Sequence, residues 1–162
     1  MPHSWFDWTH QSKLSEINLL KGPLTIDEML WKFRGKVHFR QYIPSKLGWY
    51  GIKTFANTDC IMGYTLQIKP YVGLNDRPFK KPNKTFNLVC RLVQPFFKTE
   101  RNVTMNNFFT SIPLTIKINA EKLTLLETMH KNEAEVPPEF MTLIKNMNTQ
   151  MKAAFRKDMT LL

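Results

Sequence analysis

Three strand-like runs follow one another early in the chain, and segments of helical period then alternate with short strands. Residues 24–30 form an apolar run with strand character around the acidic pair Asp27-Glu28. Residues 50–58 read as a second strand despite Gly51. Residues 64–72 alternate apolar and polar side chains, the pattern of a half-buried third strand. Pro70 is predicted near its end, because a prolyl nitrogen donates no ladder hydrogen bond. Between the second and third runs, Asp59-Cys60-Ile61-Met62-Gly63 predicts a turn with Gly63 at positive φ. Over residues 84–97, Phe86, Val89, Cys90 and Val93 recur at the spacing of one buried helix face, and Pro95 limits the end. Residues 102–105 predict a fourth strand. Residues 109–120 predict a second helix, opened by Thr110 or Ser111 with Pro113 in its first turn. Residues 123–129 predict a fifth strand. Three strands, helix, strand, helix, strand implies an α/β chain of α+β type, with one mixed sheet and helices packed against it.

That order is the element order of the ribonuclease H-like fold. Around it, residues 1–22 read as an irregular segment, with Gly22-Pro23 marking the join, and residues 32–48 as a loop rich in charge, Gly and Pro. Residues 74–82 read as a polar connection. Pro137-Pro138 closes the block, and Leu143, Met147, Met151 and Phe155 or Ala154 suggest an amphipathic helical tail. The expected division is therefore an N-terminal segment at 1–22, a folded domain at 23–141 and a tail at 142–162. With 162 residues, 43% of them hydrophobic, the chain has enough apolar material for one packed core.

A net charge of +10 and a pI of about 9.7 favour an anionic partner. Nucleic acid comes first, an acidic membrane surface second and an acidic protein third. Cys60 and Cys90 form no zinc-spaced cluster, the four histidines are scattered, and both thiols are expected as small core residues in a reducing compartment. No apolar run is long enough to span a membrane, and no secretory leader is read at the N-terminus.

The chemistry concentrates after the first strand. Arg34, Lys36, Arg40, Lys46 and Lys53 interleave with Phe33, Phe39, Tyr42, Trp49 and Tyr50, a pattern suited to a DNA backbone. The alternative is a solvated face whose aromatics anchor the loop on the core. Asp27 is a candidate metal ligand, or else a strand-end acid that is solvated or paired with Arg34 or Lys53.

Two blocks carry a family resemblance. Leu24-Thr25-Ile26-Asp27-Glu28, Phe33-Arg34-Gly35-Lys36, Phe39-Arg40-Gln41-Tyr42-Ile43-Pro44-Ser45-Lys46 and Tyr50-Gly51-Ile52-Lys53 resemble the opening of the piggyBac transposase catalytic domain. Asn102-Val103-Thr104-Met105-Asn106-Asn107-Phe108-Phe109-Thr110-Ser111-Ile112-Pro113-Leu114 resembles that family's second motif, and Val136-Pro137-Pro138-Glu139-Phe140 ends a weaker third block. The resemblance covers roughly residues 16–141. It implies a ribonuclease H-like core that cuts and joins DNA with two Mg²⁺ ions held by three aspartates. Two divalent ions close together need several anionic oxygens, one ion activating the attacking oxygen and the other stabilising the leaving one.

Carried over by position, Asp27 matches the first aspartate, whereas the second falls on Asn106 and is degenerate. The third is expected well beyond the second block, past the end of this sequence. Glu28 would face the other side of the sheet, and Glu133, Glu135, Glu139 and Asp158 lie in polar or cationic surroundings. The implied protein is thus a truncated, incomplete ribonuclease H-like domain of piggyBac descent that does not cut DNA. It retains DNA binding through Arg34, Lys36, Arg40, Lys46 and Lys53, with Mg²⁺ not productively held and at most a weak ion at Asp27. Self-association, nuclear or otherwise cytoplasmic placement, and neither a membrane nor a small-molecule substrate complete the expectation. A domesticated protein–protein interaction module and a transposon fragment without a role are the alternatives.

Overall fold

A computed structural model of the chain describes residues 21–73, 84–129, 136, 154–156 and 159–161. The chain divides into two compact units, Met1–Thr128 and Met129–Leu162.

In the first unit one mixed sheet is built from β1 (Leu24–Lys32), β2 (Gln41–Tyr42), β3 (Tyr50–Asp59), β4 (Thr65–Pro70), β5 (Asn102–Met105) and β6 (Thr124–Glu127). β1 pairs antiparallel with β3 along its whole length, from Leu24↔Asp59 to Lys32↔Gly51. The other edge of β3 is shared by β2 at its start and β4 further on. On the far side β1 runs parallel to β5, and β5 parallel to β6. A meander joined to parallel strands through helical crossovers is the arrangement predicted from the element order. It fits the ribonuclease H-like expectation.

Among the described residues two α-helices are interleaved with the later strands, α1 (Lys84–Val93) between β4 and β5 and α2 (Ile112–Ala120) between β5 and β6. Leu24, Ile26, Phe55, Val103 and Met105 from the strands bury against Leu88, Val89, Leu92 and Val93 of α1 and Leu114 and Ile118 of α2. The residues between them on β1, including Thr25, Asp27, Met29 and Trp31, point to the opposite face, since side chains alternate along a strand.

Local chemistry explains where each element stops. α1 ends at Val93 and tightens into a 3-10 turn, Gln94–Phe96, because Pro95 has no N–H to continue the helical ladder. The buried Asn57 amide donates to the Leu92 carbonyl at 2.8 Å, satisfying one of the acceptors left open at that end. α2 starts at Ile112, three residues later than expected. Residues 107–109 are held instead in a turn by Asn106, which accepts the Phe108 amide on Oδ1 at 3.0 Å and the Phe109 amide on its carbonyl at 3.1 Å. The extended Ser111 is the N-cap, and Pro113 lies in the first turn. Asp59 organises the β3–β4 turn by accepting the Ile61 and Met62 amides, each at 2.9 Å, and Gly63 takes φ 64° there. β4 ends on Pro70.

Two expectations change. The stretch read as loop at 32–48 contains β2, too short at two residues to show a period. The helical tail expected over 142–162 is not what residues 154–156 and 159–161 form. Here β7 (Ala154–Arg156) and β8 (Met159–Leu161) pair antiparallel, with Phe155 opposite Thr160. Phe and Thr suit an extended backbone, and the ladder satisfies backbone groups that a terminal helix turn would leave open. Residues 142–153, the segment 1–20, the connection 74–83 and the acids Glu133, Glu135, Glu139 and Asp158 lie outside the described residues. No helix among the described residues is long and apolar enough to cross a membrane.

Candidate metal centre and nucleic-acid interface

β1 and β5 carry the candidate metal position. Their parallel register pairs Leu24 with Val103, Thr25 with Thr104 and Ile26 with Met105. One step further along both strands come Asp27 and Asn106. Alternation sets Asp27, within β1, on the face of the sheet opposite α1 and α2, and Asn106 follows directly on the end of the neighbouring parallel strand β5. Two sequence positions 79 residues apart are thus brought together by the fold. Both residues are exposed.

Their donor chemistry is thin. Asp27 accepts the Glu28 amide on Oδ1 at 2.7 Å. Asn106 Oδ1 is already engaged by the Phe108 amide. One carboxylate and one neutral amide supply a single formal negative charge, whereas two divalent ions need several anionic oxygens. Among the described residues no group of three His, Cys, Asp or Glu side chains converges. These residues do not fit a two-ion Mg²⁺ centre.

Glu28 lies on the other face, as alternation requires, and forms an ion pair with Lys53. Lys53 is therefore the partner of Glu28 and not of Asp27. Its ammonium also sits 5.0 Å from the Phe55 ring centroid and 5.2 Å from that of Phe108. The two rings are nearly coplanar in orientation, with planes 7° apart, so Lys53 ties β3 to the turn that follows β5.

The remaining cations lie on the β1–β2 connection and the β2–β3 hairpin. Arg34 and Lys36 are exposed and form no ion pair among the described residues. Arg40 donates to the carbonyls of Arg34 and Gly35, each at 3.2 Å, holding the loop in a tight curve. Lys46 reaches the Glu28 carbonyl at 3.2 Å and pins the hairpin to β1. Sequence alone groups all five as candidate phosphate ligands. In the fold two present free charge, two shape the loop, and Lys53 is turned into the sheet.

Glu127, at the end of β6, was not singled out in the sequence. It pairs in register with Met105 on the helix-facing side, and the Thr115 hydroxyl donates to Oε1 at 2.6 Å. Burial holds its carboxyl above the ordinary range, opposed by hydrogen bonds from Thr115 and Thr110. The signal was an acid closing an otherwise apolar strand, but its face becomes clear only from the β5–β6 register. The two thiols also diverge. Cys90 packs against the core with its pKa pushed up by burial, while Cys60 is exposed and 2.7 Å from the Thr25 hydroxyl, so only Cys90 is a core thiol.

A family model described as Transposase IS4 matches residues 11–162. Among solved structures, the piggyBac transposase synaptic complex with hairpin DNA, determined by cryo-EM, is 34% identical to this chain and superposes with a TM-score of 0.72. The match covers 86% of this chain and 29% of that transposase, so the chain spans less than a third of that protein's length.

Proposed function

This chain belongs to the IS4/piggyBac-type transposase family, and from that premise we propose that it is a transposase-derived domain that holds DNA without cutting it. The observation that carries the reading is that the β1–β5 register, which ends on Ile26 and Met105, is followed on β1 by the carboxylate Asp27 and just past β5 by the amide Asn106. In the family, divalent-metal chemistry depends on carboxylates, and here the second position is an amide. Asn106 spends its oxygen on the Phe108 amide, so its present work is to shape a turn.

What supports DNA as the partner is charge and precedent. Residues 29–58 contain six Lys or Arg and no Asp or Glu. The related transposase was determined with hairpin DNA. Arg34 and Lys36 are the direct phosphate ligands in this reading. Arg40 and Lys46 set the loop's curvature and reach the backbone from its flanks, and Lys53 braces the site from beneath.

The test is a gel assay with the whole chain, a labelled duplex and Mg²⁺ or Mn²⁺. The expected result is a retarded complex with no nicked or joined product. Robust cleavage that Asp27→Ala abolishes would overturn the proposal.

A further inference from the structure

The β2–β3 hairpin carries chemistry that phosphate holding does not use. Gln41 pairs with Gly51 and Tyr42 with Tyr50 across its two strands. Cross-strand partners stand on the same side of a sheet. The two phenol rings therefore lie next to each other, with centroids 4.7 Å apart and planes inclined by 33°. Both remain in solvent, Tyr42 at 57% and Tyr50 at 45% relative exposure. The Arg40 guanidinium lies 5.1 Å from the Tyr50 ring centroid, and its two bonds to loop carbonyls hold it there.

The hairpin itself is well fixed. The Ile43 amide donates to the Trp49 carbonyl at 2.7 Å, and the Trp49 amide to the Lys46 carbonyl at 3.1 Å. Trp49, also exposed, adopts φ 55° and follows Gly48 at φ 125°. A tyrosine pair that only locked this hairpin would gain by burying its rings. Instead it displays them among cations, on a stretch that lacks any acid.

We infer that Tyr42, Tyr50 and Arg40 form a stacking platform for unpaired bases of a DNA strand whose phosphates the neighbouring cations hold. The inference rests on the DNA-holding reading above and narrows its substrate class to single-stranded or locally unpaired DNA. In a duplex each base face is covered by its neighbours, so ring-on-base stacking is available only where pairing is broken. Aromatic faces beside fixed positive charge suit that ligand because every base offers a π-face regardless of sequence.

The test titrates the whole chain, at one salt concentration, with a labelled oligothymidylate of about twelve nucleotides and separately with a duplex of equal length. Tyr42→Leu combined with Tyr50→Leu is expected to weaken oligothymidylate binding by about tenfold or more while leaving the duplex within about twofold. Tyr42→Phe combined with Tyr50→Phe keeps the rings and is expected to bind both probes as the parent does. If the double leucine variant does not fold, Tyr42→Leu alone, at the more exposed ring, is expected to lose about threefold on the single strand only. Folded leucine variants that retain parental oligothymidylate affinity, or that weaken both probes equally, would overturn the platform alone. A parent chain that binds neither probe would overturn the DNA-holding reading together with it.

Discussion

Asp27 and Asn106 differ by one heteroatom and one unit of charge, and the proposed function turns on that difference. A carboxylate offers anionic oxygens that bridge ions, whereas an amide offers one neutral oxygen. At Asn106 that oxygen is used to receive a backbone amide. The residue therefore contributes to the shape of the 106–110 turn. On the opposite face, Glu28 and Lys53 form a mostly buried pair, their side chains 19% and 17% exposed. Removing one partner of such a pair leaves a poorly solvated charge. Lys53→Met is expected to destabilise the fold by about 1–3 kcal/mol, less than the full burial penalty because some solvent reaches the pair. Adding Glu28→Gln should recover much of the loss. Urea melts of both variants check this, and a double variant no more stable than Lys53→Met would contradict it.

At the scale of elements, β1 and β3 form the spine that positions everything else. Gly51 sits opposite Lys32 in that ladder, and a Cβ there would lie 2.2 Å from the Trp31 carbonyl oxygen and 3.0 Å from Leu30 Cγ. Gly51→Ala is therefore expected to cost at least about 2–3 kcal/mol, because the clash is with backbone that cannot rotate away. A melting temperature equal to the parent's would refute that. The sequence revealed a strand here, but the reason for glycine is a close approach visible only once two strands are side by side.

β6 yields a pH prediction. The Glu127 carboxyl is held above its ordinary value chiefly by burial. The folded state then binds that proton more tightly than the unfolded state. Stability is expected to fall as pH rises from the usual carboxylate range through the elevated folded value, and then to level off. Glu127→Gln keeps an acceptor for the Thr115 hydroxyl and removes the titration. Its melting temperature should lose that part of the pH dependence, and an unchanged profile would rule out Glu127 as the source.

Over the whole molecule, the order of elements was readable because hydrophobic period, proline and glycine placement and turn chemistry agreed from residue 24 to residue 129. What sequence period could not show was β2, which has too few residues to carry a pattern, or the β7–β8 strand pair, where helical spacing of apolar residues competed with local strand preference. The candidate site was half legible. Asp27, Asn106 and the basic loop could be named, but not the roles of the cations, because a charge in sequence does not reveal whether it meets solvent, a carbonyl or a carboxylate. Lys53 turned to Glu28, and Arg40 and Lys46 turned to backbone, for reasons set by the register of β1, β2 and β3.

The claim that joins these scales is that a carboxylate-poor transposase-family domain still grips the DNA backbone. The affinity of the whole chain for duplex DNA, measured between about 50 and 200 mM salt, tests it most directly. With Arg34, Lys36, Arg40 and Lys46 engaging roughly four phosphates, the slope of log affinity against log salt is expected to be about −3 to −4. Arg34→Ala with Lys36→Ala should make it shallower by about 2. A slope near zero, or no detectable binding at the upper end of that salt range, would contradict the account.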